Sequence, residues 1–243
     1  MLIRTFSSEC IKLRHSYIWI VLSVLPIFSV LIGCANYVFN RGILQNEWYS
    51  LWTQVGLFYG EFFFPVLIGI CCAFLCRFEH INQNWNSILT APVPIRDVFL
   101  AKLMMVGLLS AVTQAFFLSL YFIAGKWVGL ISPFPSETLG WIFRGWVASL
   151  AIGGVQLWLS MRIRSFAVPV GVSICATLIG LGLYVNHLGM FYPYSLLTIG
   201  MGVLSQDSLA MMEHVLFYGM SGLFIILFCI SGIRRLKKTD IVA

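Results

Sequence analysis

The chain has 243 residues, of which 60% are hydrophobic and 10% charged, whereas a soluble globular domain carries about 25% charged residues. So few charges cannot cover a soluble fold, and the high hydrophobicity excludes a disordered chain. The formal net charge of +6 does not point to nucleic acid, because the basic residues are scattered among apolar runs and form no stripe. The expected class is an all-α integral membrane protein with one transmembrane domain over 1–243.

Along the chain, Leu2, Ile3, Phe6, Cys10 and Leu13 share one helical face, while Arg4, Ser7, Ser8, Lys12 and Arg14 fall elsewhere. This spacing predicts an amphipathic helix over 2–14, lying at the cytoplasmic membrane interface. Its role is either a surface anchor or a contact with a cytoplasmic partner. The first apolar run starts near Tyr17, is longer than a signal-peptide core and has no A-x-A site, so it is expected to stay as an anchor. Six stretches have the roughly 20 mainly apolar residues that a spanning helix needs: 16–38, 54–76, 98–124, 139–161, 166–185 and 215–233. They show no period-2 alternation, which excludes barrel strands. An even number of spans puts both termini on one side. That side holds twelve Lys or Arg residues against Arg41, Lys126 and Arg144 on the other, so both termini are predicted to be cytoplasmic.

The inner loop between spans two and three is the most informative segment. Ile81, Trp85, Ile88 and Leu89 recur at helical spacing, Pro92 and Pro94 end that helix, and Asp97 opens the next. A short helix with an aromatic between two spans suits docking into a groove on a cytoplasmic protein; the alternative is an interfacial helix packed under its own bundle. On the outer side the longest segment is 186–214. Its stretch from Phe191 to Leu197 is apolar enough to dip back into the outer leaflet as short helices.

Polar residues within spans mark functional candidates. Glu61 in span two and Arg144 in span four lie at similar depth and can pair or reach headgroups. Gln114 lies near the middle of span three and Gln156 low in span four. Together Glu61, Gln114, Arg144 and Gln156 form either a polar seam for substrate or a second permease, or a set of interhelical hydrogen bonds. Pro26, Pro65 and Pro169 are candidate kinks, Ala176 and Gly180 a small-residue packing face, and Trp48, Trp52, Trp127 and Trp141 candidates for the outer aromatic belt. The seven cysteines form no CxxC pair and have no His at ligand spacing, so they read as buried packing residues and no metal site is expected.

The inner loop, with Glu79, a short helix, then Leu89-Thr90-Ala91-Pro92-Val93-Pro94-Ile95-Arg96 and Lys102 opening the next span, resembles the ABC-2 type permeases, the membrane subunits of type V ABC transporters. The closer resemblance is to lantibiotic-immunity permeases of Gram-positive bacteria. It lies in Cys10-Ile11-Lys12-Leu13-Arg14, Tyr49-Ser50-Leu51-Trp52, Gly60-Glu61-Phe62-Phe63-Phe64-Pro65 and Glu79-His80-Ile81-Asn82-Gln83-Asn84-Trp85-Asn86. The resemblance implies that the loop is a coupling helix, with Glu79, Asn82, Trp85 and Leu89 touching an ATP-binding subunit. It also implies a cell-membrane location, a second six-span permease of different sequence, and an amphipathic peptide antibiotic as exported substrate. Export of bacitracin-like or other hydrophobic drugs is the alternative. No GxxxxGK[ST] phosphate loop is present, so ATP and Mg are expected on the separate ATP-binding subunit and no cofactor on this chain. An intramembrane enzyme would want a Ser-His or carboxylate pair at depth. His15, His80, His187 and His214 instead sit at span boundaries or in loops, and no such constellation is present.

Overall fold

The computed structural model describes residues 1–14, 16–81, 85, 93–206 and 209–238, and these are all-helical, without strands. A short helix α1 (Leu2–Leu13) precedes the first span, α2 (Ile18–Phe39). The second span is one continuous rod over Glu47–His80, built of α3 (Glu47–Gly56), a π-helical stretch (Leu57–Phe63) and α4 (Phe64–His80). Spans three to five are α5 (Ile95–Val128), α6 (Glu137–Ser160) and α7 (Ala167–Val185). A 3₁₀ turn (Gly189–Phe191) and α8 (Pro193–Gly200) lead to the sixth span, α9 (Met211–Lys238). Six helices are long and apolar enough to cross a membrane. The face of the bundle that carries the chain termini is called here the terminal face, and the opposite one the far face.

The helices overrun the apolar stretches that predict them. α5 has 34 residues, about 51 Å at 1.5 Å per residue, against a hydrocarbon core of about 30 Å. It starts after Pro94, which cannot continue a helix backwards, and ends at Gly129, whose φ of 89° is the left-handed C-cap conformation. Leu130 N–H then returns to Gly125 O at 3.0 Å.

Pro65 does not simply kink span two. It closes a stretch of wider turns in which Phe64 N–H bonds back five residues, to Tyr59 O. A π stretch absorbs a residue that lacks an N–H and crowds the carbonyl one turn earlier. Its effect is to carry Tyr59, Gly60 and Glu61 into the interior. Spans one and two meet closely at Gly33, where an added Cβ would lie 2.5 Å from the Val55 Cα. Ser29 Oγ donates to Val55 O at 2.9 Å one turn away. Such small-residue contacts let helix backbones approach in a membrane, where apolar burial supplies little drive.

The far half of the bundle is an aromatic core. Trp48, Trp52 and Trp141, expected in an outer belt, are 1%, 0% and 4% exposed, and Trp127 alone of the four faces outward at 82%. Each buried indole at the start of span two finds an acceptor within the protein: Trp48 Nε1–H donates to Ser132 O at 2.9 Å and Trp52 Nε1–H to Met201 O at 3.0 Å. With their polar edge satisfied, these rings act as large apolar groups that pack at ring spacing on Phe117, Tyr121 and Phe134. Arg41 also reaches across to Val128 O, and Glu47 accepts from both the N–H and the hydroxyl of Ser132.

Gly33→Ala is therefore expected to force spans one and two apart and to cost about 1–3 kcal/mol, the usual penalty of overpacking. Thermal unfolding of the purified protein in detergent, compared with Gly42→Ala in open space, measures it.

Candidate functional site

Two polar regions lie inside the bundle, one at each face. At the terminal face, Lys102 of α5 is wholly buried, 0% exposed. An ammonium has three donors, and Lys102 places them on Glu79 Oε1 (2.8 Å), Leu75 O (2.8 Å) and the Glu9 carboxylate (3.2 Å). Lys12 of α1 donates to the same Glu79 Oε1 and to Glu9 Oε1, both at 2.8 Å. Two ammonium and two carboxylate groups thus balance in one cluster, the condition for keeping charge inside a low-dielectric interior. Burial works to lower the Lys12 pKa, but its bonds to Glu79 and Glu9 outweigh that and hold it above the ordinary 10.5.

The cluster joins three elements: α1, the end of α4 and the start of α5. Its geometry revises the reading of α1. Glu9 and Leu13 are the buried residues of that helix, with Phe6 and Cys10 packed on the core, while Ile3 is 83% exposed. The inward face therefore mixes apolar residues with Glu9 and Lys12, and it is not the apolar stripe that spacing predicts. The geometry also revises the expected surface contact of Glu79. Its side chain is 1% exposed, and its second oxygen is buried without a hydrogen-bond partner. Glu79 faces the lysines because they are the only means of neutralising a carboxylate at this depth among the described residues.

The next residue points elsewhere. His80 Nε2 lies 2.7 Å from Ser160 O at the end of α6, and Trp85 Nε1–H donates to His80 Nδ1 at 3.1 Å. With Nδ1 accepting, Nε2 carries the proton and donates to the carbonyl. Trp85 is half-buried against this ring. Asn82 and Leu89 lie outside the described residues. Sequence reasoning names Glu79 and Trp85 but misses Glu9 as a partner of Lys102 and Lys12 as the second cation on the same two carboxylates. The available signal is the lone Lys102 in an apolar helix, which must find acid somewhere.

At the far face, Glu61 and Arg144 do not pair. Glu61 is 2% exposed and accepts from Thr198 Oγ1 at 2.6 Å. Arg144 Nε–H donates to Gly200 O at 3.1 Å. Gln156 Nε2–H donates to the Tyr194 hydroxyl. All three partners belong to α8, which occupies the stretch expected to dip back into the bilayer and is buried along nearly its whole length. Span five completes the seat. Ser195 Oγ donates to Gly180 O at 2.7 Å, and a Cβ at Gly180 would lie 3.1 Å from that of Tyr194. Gln114, 1% exposed, turns instead to the backbone of α6. With its amide oriented to suit, it donates to Ile142 O at 3.0 Å and accepts from Trp146 N–H at 3.1 Å. The polar seam is thus spent mainly on holding one short helix inside the bundle.

Among the described residues no group of three His, Cys, Asp or Glu side chains is placed to hold a metal ion. A family model described as "ABC-2 family transporter protein" matches residues 5–180. No curated protein and no solved structure matches the chain.

Removing the Lys102 charge alone strands two buried carboxylates on Lys12. Lys102→Met is expected to cost about 3–5 kcal/mol, whereas the double change Lys102→Met with Glu79→Met recovers part of it, because a buried pair replaced together leaves no orphan charge. Detergent thermal melts of the single and double variants give the comparison. The contribution of Lys12 is fully present below its unfolded pKa near 10.5 and is lost as pH rises through the higher folded value. From neutral pH upward, protection of α1 from hydrogen exchange should therefore stay level and fall in strong alkali.

Proposed function

The chain belongs to the ABC-2 family of transporter membrane proteins, and from that premise we propose that it is the permease of an ATP-driven exporter of a lantibiotic or similar amphipathic peptide antibiotic. The family makes it a multi-pass membrane component of an ABC transporter that works with an ATP-binding subunit. The peptide cargo is supported by the resemblance of four stretches, around Lys12, Trp52, Glu61 and Trp85, to immunity permeases. The twelve-to-three bias of Lys and Arg supports placing the terminal face in the cytoplasm, where the ATP-binding subunit resides.

The observation that carries the mechanism is the divergence of two consecutive residues. Glu79 clips span two to α1 and α5, and His80 ties it to α6 and to Trp85 of the inner loop. In this reading ATP-driven closure of the partner subunit moves the inner loop, and Trp85 passes the displacement to His80. The end of span two then moves with α1, α5 and α6 as one unit. A ligand-driven change needs contacts that differ between the two states; the docking of Trp85 on the ATP-binding subunit provides one. The second, different permease chain of the proposal would complete a twelve-span assembly. On this reading Glu79 acts by positioning the loop from inside, and Trp85 makes the contact.

Co-purification tests the reading. Trp85→Ala should leave the amount of protein in the membrane unchanged while the recovered ATP-binding subunit falls by about tenfold or more, the effect of losing one aromatic anchor. Equal recovery removes the loop from the docking surface. Cells that lack the chain should become sensitive to the peptide antibiotic; sensitivity to bacitracin-like drugs alone would replace the cargo.

A further inference from the structure

A cleft of about 450 Å³ lies at the far face, lined by Tyr184 and Val185 at the end of span five, Leu209 just before span six, Glu213 at its start, and Arg144 of α6. Arg144 uses Nε on Gly200 O. Its two Nη groups make no hydrogen bond, and no carboxylate lies within salt-bridge distance of it, among the described residues. A guanidinium without a carboxylate partner among the described residues, in a membrane-spanning helix, is a costly arrangement. Its remaining donors form a planar fork suited to phosphate oxygens.

The surroundings say what carries the phosphate. Val185 in the lining is 66% exposed, and Leu188, Met211 and Met212, which lie within two positions of lining residues along the chain, are 52%, 86% and 76% exposed. Below them run the two least buried spans, five and six, with 22% and 17% of their most apolar windows covered by protein. Apolar flanks around a cationic recess fit a molecule with acyl chains beneath a phosphate. Glu213 adds the opposite sign. Among the described residues its Oε2 accepts from the Ala210 N–H at 2.8 Å, and a carboxylate has further acceptor capacity for the cleft that it lines. A carboxylate there disfavours a net-negative headgroup and favours one with an amine beside its phosphate.

We propose that this cleft holds the headgroup of an aminophospholipid from the far leaflet, its phosphate on Arg144, its amine toward Glu213 and its chains along spans five and six. The site is independent of which cargo the protein exports.

Native mass spectrometry of the purified full chain tests this with phosphatidylethanolamine and phosphatidylglycerol of equal acyl composition, and with inorganic phosphate as competitor. The wild type should retain the ethanolamine lipid in preference to the glycerol lipid. Arg144→Gln should weaken that retention by about tenfold, equivalent to about 1.4 kcal/mol. Glu213→Gln should abolish the preference while keeping lipid bound. Arg144→Gln also breaks the bond to Gly200, so Leu209→Trp, which fills the cleft and leaves Arg144 in place, is the second variant and should lose lipid as well. Unchanged retention in Leu209→Trp, or equal retention of the two lipids by the wild type, overturns the proposal. Displacement of the lipid by millimolar inorganic phosphate would assign the recess to free phosphate and overturn it too.

Discussion

Lys102 is the point on which the terminal half of the bundle depends. An ammonium shut away from water must place every donor on an acceptor, and this one does so on Glu9, Glu79 and Leu75 O. Each partner sits on a different element or turn, so the position of α1, the end of span two and the start of span three are fixed together. Such a cluster adds little net stability over an apolar replacement, because desolvation offsets most of the attraction. What it contributes is position. A helix held by directional bonds at 2.8–3.2 Å cannot slide or rotate without leaving a charge unmatched, which apolar packing alone would permit.

At the far half the same constraint is met by neutral groups. Water is scarce there, so buried indoles, hydroxyls and amides are mostly satisfied within the protein, with Tyr59 OH, Thr138 Oγ1 and Gln156 Oε1 as exceptions. The short helix α8 serves as the common acceptor and donor. Thr198, Gly200 and Tyr194 take up Glu61, Arg144 and Gln156, which come from spans two and four. A segment that leaves the far face and returns is thus held inside the bundle, and the π stretch before Pro65 is what turns Glu61 toward it. The two halves differ in kind: charge fixes the face next to the inner loop, while aromatic packing and single hydrogen bonds fix the other.

The division fits the family assignment. In an ABC-2 permease, energy enters through contacts with an ATP-binding subunit, so the helix ends nearest that contact gain from moving as a body. Glu79 and His80 tie the helix ends together, one gripping α1 and α5, the other α6 and Trp85, and under the proposed mechanism these ends are the ones that move. The buried cysteines of the spans, Cys34, Cys71, Cys72 and Cys76, belong to the packed interior.

The sequence alone determined the all-helical membrane class, the six spans and the short helices after span five, because all of these follow from local hydropathy, helical spacing and proline. It also named Glu61, Gln114, Arg144 and Gln156. Only the tertiary structure decided what those residues touch. Glu61 and Arg144 share a depth yet face α8 and not each other, and Trp48, Trp52 and Trp141 are buried where a belt position was expected. Glu79 turns inward to lysines that lie 67 positions before it and 23 after it. The physical reason is common to all: hydropathy reports how deep a residue lies along the membrane normal, but not its rotation about the helix axis. That angle is set by whichever neighbour can satisfy the buried polar group, and such neighbours come from distant parts of the chain.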